Sequence, residues 1–170
     1  LVAYVADDPA GWVAVEPRVA YPKLRTTRVP WTGRTEDKDD PSVWSVTCLV
    51  VRKQYRGRGL TYPLAAATVE YTRSRGARAL EAYPMVTTPG KEITWGELHV
   101  GARQVFAEAG FVEITQPTLR RRVMRIDFAY TAAFFDAMRG WVAEHQHGFT
   151  TGRGLLLHLL RAADADKDQT

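Results

Sequence analysis

A short glycine-bearing loop has the clearest chemical character in this sequence. Gly57 and Gly59 lie two positions apart, immediately before an apolar, helix-like stretch. The first N–H groups of a helix have no partner within it and lie at the positive end of its dipole, so such a junction attracts anions. Glycines there let the backbone adopt positive φ and approach an anion closely. The pattern predicts a site for a phosphate or pyrophosphate group. Cations beside the glycines add positive charge: Arg52, Lys53, Arg56 and Arg58.

Other interpretations of the loop differ in how well they fit. A plain turn with solvated arginines is compatible with it, because a pair of glycines before a helix is common. A P-loop would need Lys and then Ser or Thr after its glycines, whereas Leu60 and Thr61 follow Gly59 here. The glycine spacing also differs from that of a dinucleotide-binding fold.

The elements around the loop are predicted from hydrophobic periodicity. Residues 43–51 are rich in β-branched and apolar side chains and predict a buried strand. After the loop, apolar residues recur on one helical face, and Gly76 predicts the end of that helix. Residues 77–83 predict a second buried strand. The loop therefore lies between a strand and a helix, with another strand following.

The rest of the chain predicts a mixture of strands and helices. Residues 1–6 and 12–15 predict a hairpin, and residues 18–42 a long polar loop. We expect the acidic run at residues 36–40 to be solvated, or to attract a cationic ligand. The further predicted elements are a helix over residues 97–109, strands over 111–114 and 123–128, and helices from residue 130 onward.

Composition limits the classes of function. A length of 170 residues suits one core, and 45% hydrophobic with 25% charged residues is ordinary for a globular protein. No stretch predicts a membrane span or a secretory signal. The single cysteine, Cys48, agrees with a cytoplasmic location. The net charge of +4 favours an anionic ligand, but no basic, aromatic-interleaved stripe predicts a nucleic-acid partner.

Gln54-x-x-Gly57-x-Gly59 matches the Gln/Arg-x-x-Gly-x-Gly/Ala signature of the GNAT acyltransferase superfamily. The surrounding strand, helix and strand resemble that family, as does the later run ending in Gly110-Phe111. The resemblance covers residues 1–128. It implies an α+β fold with a central, mostly antiparallel sheet, a splayed strand pair and flanking helices. The family's first strand and two helices have no counterpart here, and residues 129–170 are expected to form a C-terminal helical extension, for packing or dimerisation.

The resemblance implies acetyl-CoA, or a close acyl-CoA relative, as the acyl donor. In this family the pantetheine arm pairs with the strand before the loop, and loop amides hold the pyrophosphate. A backbone N–H near Leu49 would polarise the thioester carbonyl. The implied cofactor-binding residues are Leu49, Val50, Val51, Gln54, Arg56, Gly57, Arg58, Gly59, Leu60 and Thr61.

The reaction implied is transfer of an acetyl group to an amine, with a small molecule as the expected acceptor. Glu81 is the candidate base; the alternative is a carboxylate paired with a nearby arginine such as Arg78. The family's usual acid, a tyrosine, is replaced by Phe106, so Tyr83 or water would protonate the CoA thiolate. The replacement leaves a second function open: a GNAT-like module that binds acyl-CoA without turnover.

The cysteine and the histidines are further candidate sites. Cys48 could be an acylated nucleophile, although a cysteine in an apolar strand is more typical of a core. His99 falls where family members often place an asparagine near the cofactor, so it either contacts CoA or lies on a helix surface. His145, His147 and His158 lack suitable partners, and no metal site is predicted.

Overall fold

A six-stranded mixed sheet organises the chain in a computed structural model, which describes residues 1–87 and 94–128. The strand order is β1-β2-β3-β4-β6-β5, and every neighbouring pair is antiparallel except β3 and β4. The predicted α+β class with a mostly antiparallel sheet is thereby confirmed. The strands are β1 (Val2–Val5), β2 (Asp8–Pro17), β3 (Val43–Val51), β4 (Ala79–Ala82), β5 (Val112–Thr118) and β6 (Arg121–Asp127).

Strands β3 and β4 are paired along only part of their length. The parallel register runs from Val43 opposite Ala79 to Val46 opposite Ala82. Strand β3 then continues to Val51 against β2 alone, whereas β4 ends at Ala82. The two strands therefore separate beyond Val46 and Ala82, which confirms the predicted splayed pair.

Four α-helices accompany the sheet in the described part of the chain. The longest, α2, buries Leu64, Ala65 and Val69 against an apolar core that includes Val13 and Val46. Burial of this helical stripe against strands is the interaction that periodicity in the sequence predicts. The helices are α1 (Pro22–Thr26), α2 (Thr61–Arg73), α3 (Trp95–Leu98) and α4 (Arg103–Glu108).

Strand β4 has buried side chains on both faces of the sheet. Leu80 and Ala82 belong to the apolar core beneath α2. Because side chains alternate along a strand, Glu81 points to the opposite face, as does Tyr83 just after the strand. All four residues of β4 are buried, so the segment between β2 and β3 covers the face that carries Glu81.

The single helix predicted over residues 97–109 is wrong. The chain forms α3 and α4 instead, with a break between Leu98 and Arg103. Gly101 lies in the break with φ +80°, and a Cβ built there would be 2.6 Å from the Phe106 ring. The apolar spacing still favours a helix, but backbone groups in this region bond to Leu49 of β3 and to Met85.

Two other predictions need adjustment. The loop between the first two strands is shorter than expected, because β2 begins at Asp8. The predicted loop over residues 18–42 contains α1 and two short 3-10 turns, Arg18–Ala20 and Val29–Trp31. Six of its ten charged residues form ion pairs with described residues: Arg18, Arg25, Arg34, Glu36, Asp39 and Asp40.

The predicted C-terminal helical extension, residues 129–170, lies outside the described residues, as do His145, His147 and His158. Among residues 1–87 and 94–128, no helix combines the length and hydrophobicity needed to cross a membrane.

Candidate cofactor cleft and buried arginine cluster

A cleft opens where β3 leaves β4. It encloses about 370 Å³, a volume in the range of small-molecule sites. Its walls are the end of β3, the glycine loop with the start of α2, and the segment from α3 to α4. Of the residues predicted to bind the cofactor, all except Gln54 and Arg58 line this cleft. In the remaining wall, sequence reasoning considered only His99 as a CoA contact and missed Leu98, Gly101, Ala102, Gln104 and Val105.

The backbone amides of residues 57–61 form a run of unused donors at the cleft. None of them donates a hydrogen bond to any described part of the chain, although their neighbours do. The amide of Tyr55 bonds to the Arg52 carbonyl at 2.9 Å, and that of Tyr62 to the Gly59 carbonyl at 3.0 Å. Consecutive free N–H groups at the start of a helix form a concave anion site.

Two glycines create this arrangement. Gly57 and Gly59 both have φ +73°, a conformation that side-chain-bearing residues rarely adopt. A Cβ built on Gly57 would meet no atom within 4 Å. The backbone conformation, rather than crowding by the protein, therefore requires glycine at this position, and the space beside it is open.

The charged side chains of the loop brace it. The guanidinium groups of Arg52 and Arg58 lie 5.9 Å and 5.5 Å from the Tyr55 ring centroid. The Tyr55 hydroxyl donates to Asp8 at 3.0 Å, and Arg56 Nε donates to the Val51 carbonyl at 3.0 Å. These contacts hold the loop against the β1–β2 hairpin and keep positive charge around the free amides.

The exposed edge of β3 presents backbone groups to the cleft. The amide of Arg52 bonds to the Ala10 carbonyl of β2 at 2.9 Å. Because alternate residues of a strand face opposite neighbours, the amide of Val51 and the carbonyl of Leu49 face away from β2. Neither has a partner within the described chain, so this edge can pair with an extended, amide-bearing ligand.

The amide of Leu49 is already bonded. It donates to the carbonyl oxygen of His99 at 2.7 Å, so the predicted oxyanion donor is occupied in this conformation. His99 belongs to residues 98–103, which we name the bridging segment. Further along it, the Gly101 carbonyl accepts from the Met85 amide at 2.9 Å, and the Arg103 amide donates to the Met85 carbonyl at 2.8 Å. The bridging segment thus closes the gap between the splayed strands.

The His99 side chain lines the cleft. Its Nδ1 lies 2.5 Å from the Gly96 carbonyl oxygen. A carbonyl can only accept, so this contact assigns the ring proton to Nδ1 and leaves Nε2 of the neutral imidazole as an acceptor.

Glu81 lies behind the sheet, fully buried, and does not line the cleft. Its carboxylate contacts Arg18 at 3.3 Å, Arg34 at 2.5 Å and Arg125 at 2.9 Å. Glu81 is therefore paired with arginines, as the alternative interpretation states, but its partners differ from the predicted one. Arg78 is the wrong partner, because it pairs with Asp40 at 2.6 Å.

Tyr83 is linked to the same group of charges. Its hydroxyl donates to Glu81 at 3.0 Å and contacts the Ser45 hydroxyl at 2.9 Å. Burial, reinforced by the negative charge of Glu81, raises the pKa of Tyr83 well above its usual value. Tyr83 also lies outside the cleft lining.

Phe106 and Cys48 complete the predicted set. Phe106 is fully buried and packs edge-to-face on Phe111, with ring centroids 5.2 Å apart. Burial raises the pKa of the Cys48 thiol, which disfavours the nucleophilic thiolate. Within the residues that the structure describes, no three His, Cys, Asp or Glu side chains gather as a metal site would require.

The similarity of this chain to known proteins is a similarity of fold. No protein-family model matches the sequence, and no curated protein sequence matches it. Among solved structures, a CoA-dependent acyl-homoserine lactone synthase with SAM and isopentyl-CoA is similar at a TM-score of 0.50 and 18% identity. The match covers 84% of this chain, and the chain spans 63% of the synthase.

Two acetyltransferase structures are similar at lower TM-scores. An aminoglycoside acetyltransferase in complex with coenzyme A and kanamycin has a TM-score of 0.45 and 19% identity, covering 81% of this chain and 69% of that one. A Bacillus subtilis acetyltransferase in complex with CoA has a TM-score of 0.43 and 12% identity, covering 75% of each chain. With its splayed strand pair and the glycine loop between β3 and α2, the described part of the chain has a GNAT-like α+β fold.

Proposed function

We propose that this protein binds acyl-CoA in the cleft and transfers the acyl group to an amine. The observation that carries the proposal is the run of unused amides at residues 57–61, at the start of α2 and beside the cleft. These donors suit the pyrophosphate of the cofactor.

The pantetheine arm would follow the free edge of β3. Its amide groups would pair with the Val51 amide and the Leu49 carbonyl, which face the cleft without partners in the described chain. The thioester carbonyl would then take the Leu49 amide from His99. We propose acetyl as the acyl group, as the resemblance to the GNAT superfamily implies.

Most of the rate would come from holding the amine against the thioester. The amine nitrogen attacks the carbonyl carbon, the C–S bond breaks, and the amine proton passes through a base to the departing sulfur. Glu81, with Tyr83 as the acid, is the pair predicted from sequence. His99 is a second candidate for the base, since its Nε2 is an available acceptor on a cleft-lining residue.

Glu81→Gln and His99→Gln separate the two candidates. The variant that lacks the actual general base should lose at least about 100-fold in kcat, which is within the range for general base catalysis. It should also lose the limb of the pH–rate profile that reports the titration of that base. Glu81→Gln leaves buried guanidinium groups poorly paired and should destabilise the protein. Its activity should therefore be divided by the concentration of folded protein. The variant that keeps the wild-type pH profile is not the base.

The decisive experiment combines binding and turnover. Thermal unfolding with and without CoA measures binding, and a thiol-release assay with acetyl-CoA and a panel of small amines measures transfer. Stabilisation with turnover supports the proposal, whereas the absence of stabilisation by CoA contradicts the site.

Stabilisation without turnover would favour a second function, a module that binds acyl-CoA without catalysis. Phe106 at the usual acid position and the Leu49–His99 bond favour that candidate. A cytoplasmic location and a homodimer through residues 129–170 stay predictions.

A further inference from the structure

A cluster of arginines is buried on the sheet face opposite α2. The side chains of Arg18, Arg34 and Arg125 are 1%, 5% and 5% exposed. One fully buried carboxylate, Glu81, lies among them. Guanidinium groups stay charged in proteins, so the buried part of the cluster holds three positive charges against one negative charge.

Glu36 supplies a partly exposed counter-charge. Its carboxylate lies 3.0 Å from Arg34, 2.9 Å from Arg125 and 3.8 Å from Arg18. Unlike the arginines, its side chain is 40% exposed. An exposed loop carboxylate thus occupies a position formed by three buried guanidinium groups. Among the described residues, Asp127, 64% exposed, forms an ion pair with Arg125 alone, at 2.7 Å.

The internal carboxylate leaves part of the cluster unsatisfied. Arg18 Nε is buried and has no hydrogen-bond partner in the described part of the chain. Leaving such a donor unpaired is costly. Arg18 Nη2 is engaged, because it donates to the Asp37 carbonyl at 2.6 Å.

The cluster lies where the strands begin to separate. Glu81 bonds to Tyr83, and the Tyr83 hydroxyl contacts Ser45, the register partner of Glu81. Val46, the next residue, is the last one of β3 that pairs with β4. The cluster and the cofactor cleft therefore flank the same opening from opposite faces of the sheet.

We propose that Arg18, Arg34 and Arg125 bind a carboxylate of the acyl acceptor, and that Glu36 occupies their site until the acceptor arrives. The inference rests on the proposed function, which it narrows to amines that also carry a carboxylate, such as amino acids. Paired N–H donors of arginine match a carboxylate in geometry and charge. Within the acidic run, Glu36 would thus take the place of the acceptor's carboxylate, whereas Asp39 and Asp40 pair with Arg25 and Arg78.

The first test is chemical rescue of Glu36→Ala. Removing the side chain should lower the Tm by about 5 °C, because the guanidinium groups lose a counter-ion. Sodium acetate should restore most of this loss, whereas sodium chloride at equal ionic strength should not. The control, Asp39→Ala, removes a carboxylate of the same loop whose partner Arg25 is 54% exposed, and acetate should not affect it.

The second test compares acceptors that differ in one group. With acetyl-CoA, glycine and β-alanine should exceed their carboxamides by roughly 10–100-fold in kcat/KM, the ratio expected for a lost charge-assisted contact. Glu36→Ala should lower the KM for the two acids, because Glu36 no longer competes for the arginines. The KM for the two carboxamides should stay unchanged. Glycine should also raise the Tm of the wild type more than glycinamide does.

Failure of acetate rescue overturns the inference, because the site would then not accept an external carboxylate. Rescue combined with equal use of acids and carboxamides overturns the acceptor role. If no amine is acetylated, the proposed function fails separately. The Tm difference between glycine and glycinamide still decides the carboxylate site in that case, and equal Tm values overturn it.

Discussion

The backbone amide of Leu49 donates a hydrogen bond to the carbonyl oxygen of His99, at 2.7 Å between N and O. This bond joins β3 to the bridging segment across the gap left by β4. Its position coincides with that of the donor predicted to stabilise the thioester oxyanion. The proposed acyl-CoA ligand and the bridging segment would therefore compete for one N–H group.

Acetyl-CoA should replace the His99 carbonyl at Leu49. In amide-resolved NMR of the labelled protein, we expect large shifts for the amides of Leu49 and Val51 on addition of acetyl-CoA. The Arg52 amide is a matched internal control, because it bonds to Ala10 within the sheet. Shifts confined to residues 57–61 would show that the thioester does not reach β3.

Gly57→Trp should abolish CoA binding and leave the fold largely intact. The indole would fill the open space beside the free amides, and the positive φ would cost about 1–2 kcal/mol of stability. Gly76→Trp is the matched control: Gly76 has φ +70° and also has nothing within 4 Å of a built Cβ, but it follows the far end of α2. Calorimetric titration with CoA measures the difference, and equal affinities would contradict the site.

Gly101→Ala should destabilise the protein and weaken CoA binding. The new Cβ would lie 2.6 Å from the Phe106 ring in a residue with φ +80°. Strain and overpacking together should cost about 2–4 kcal/mol. The control, Gly96→Ala, introduces the same methyl in α3, where nothing lies within 4 Å, and should be neutral or stabilising. Chemical denaturation of both variants gives the comparison.

Tyr83→Phe should change how stability depends on alkaline pH. Burial raises the pKa of Tyr83 in the folded protein, whereas in the unfolded chain it stays near its ordinary value of about 10. Above pH ~10 the unfolded state therefore binds fewer protons than the folded state, and stability falls as pH rises. The variant should lack this part of the fall. Matching curves for wild type and variant would contradict the expectation.

Periodicity and turn residues predicted the site-forming half of the fold well. The run of β-branched residues defines β3, and Gly57 and Gly59 precede α2 as expected. Both signals are local, because they depend on side-chain alternation and on backbone conformation. Two walls of the candidate cleft follow from these signals, and the structure adds the third.

Long-range pairing explains what the sequence did not reveal. The apolar spacing of Leu98, Ala102 and Val105 is compatible with a helix. The backbone of the bridging segment nevertheless forms hydrogen bonds with β3 and with Met85. Likewise, Glu36 belongs to an acidic run typical of a solvated loop, but it contacts Arg125, a residue 89 positions away. Tertiary contacts of this kind override local patterns.

The burial of every β4 residue has a consequence for evolution and engineering. Successive side chains of β4 face the apolar core and the buried arginine cluster in turn. A one-residue insertion would therefore place Leu80 among the guanidinium groups and Glu81 in the apolar core. We expect β4 to tolerate side-chain replacement far better than any insertion or deletion. Length, more than identity, is what this strand must preserve.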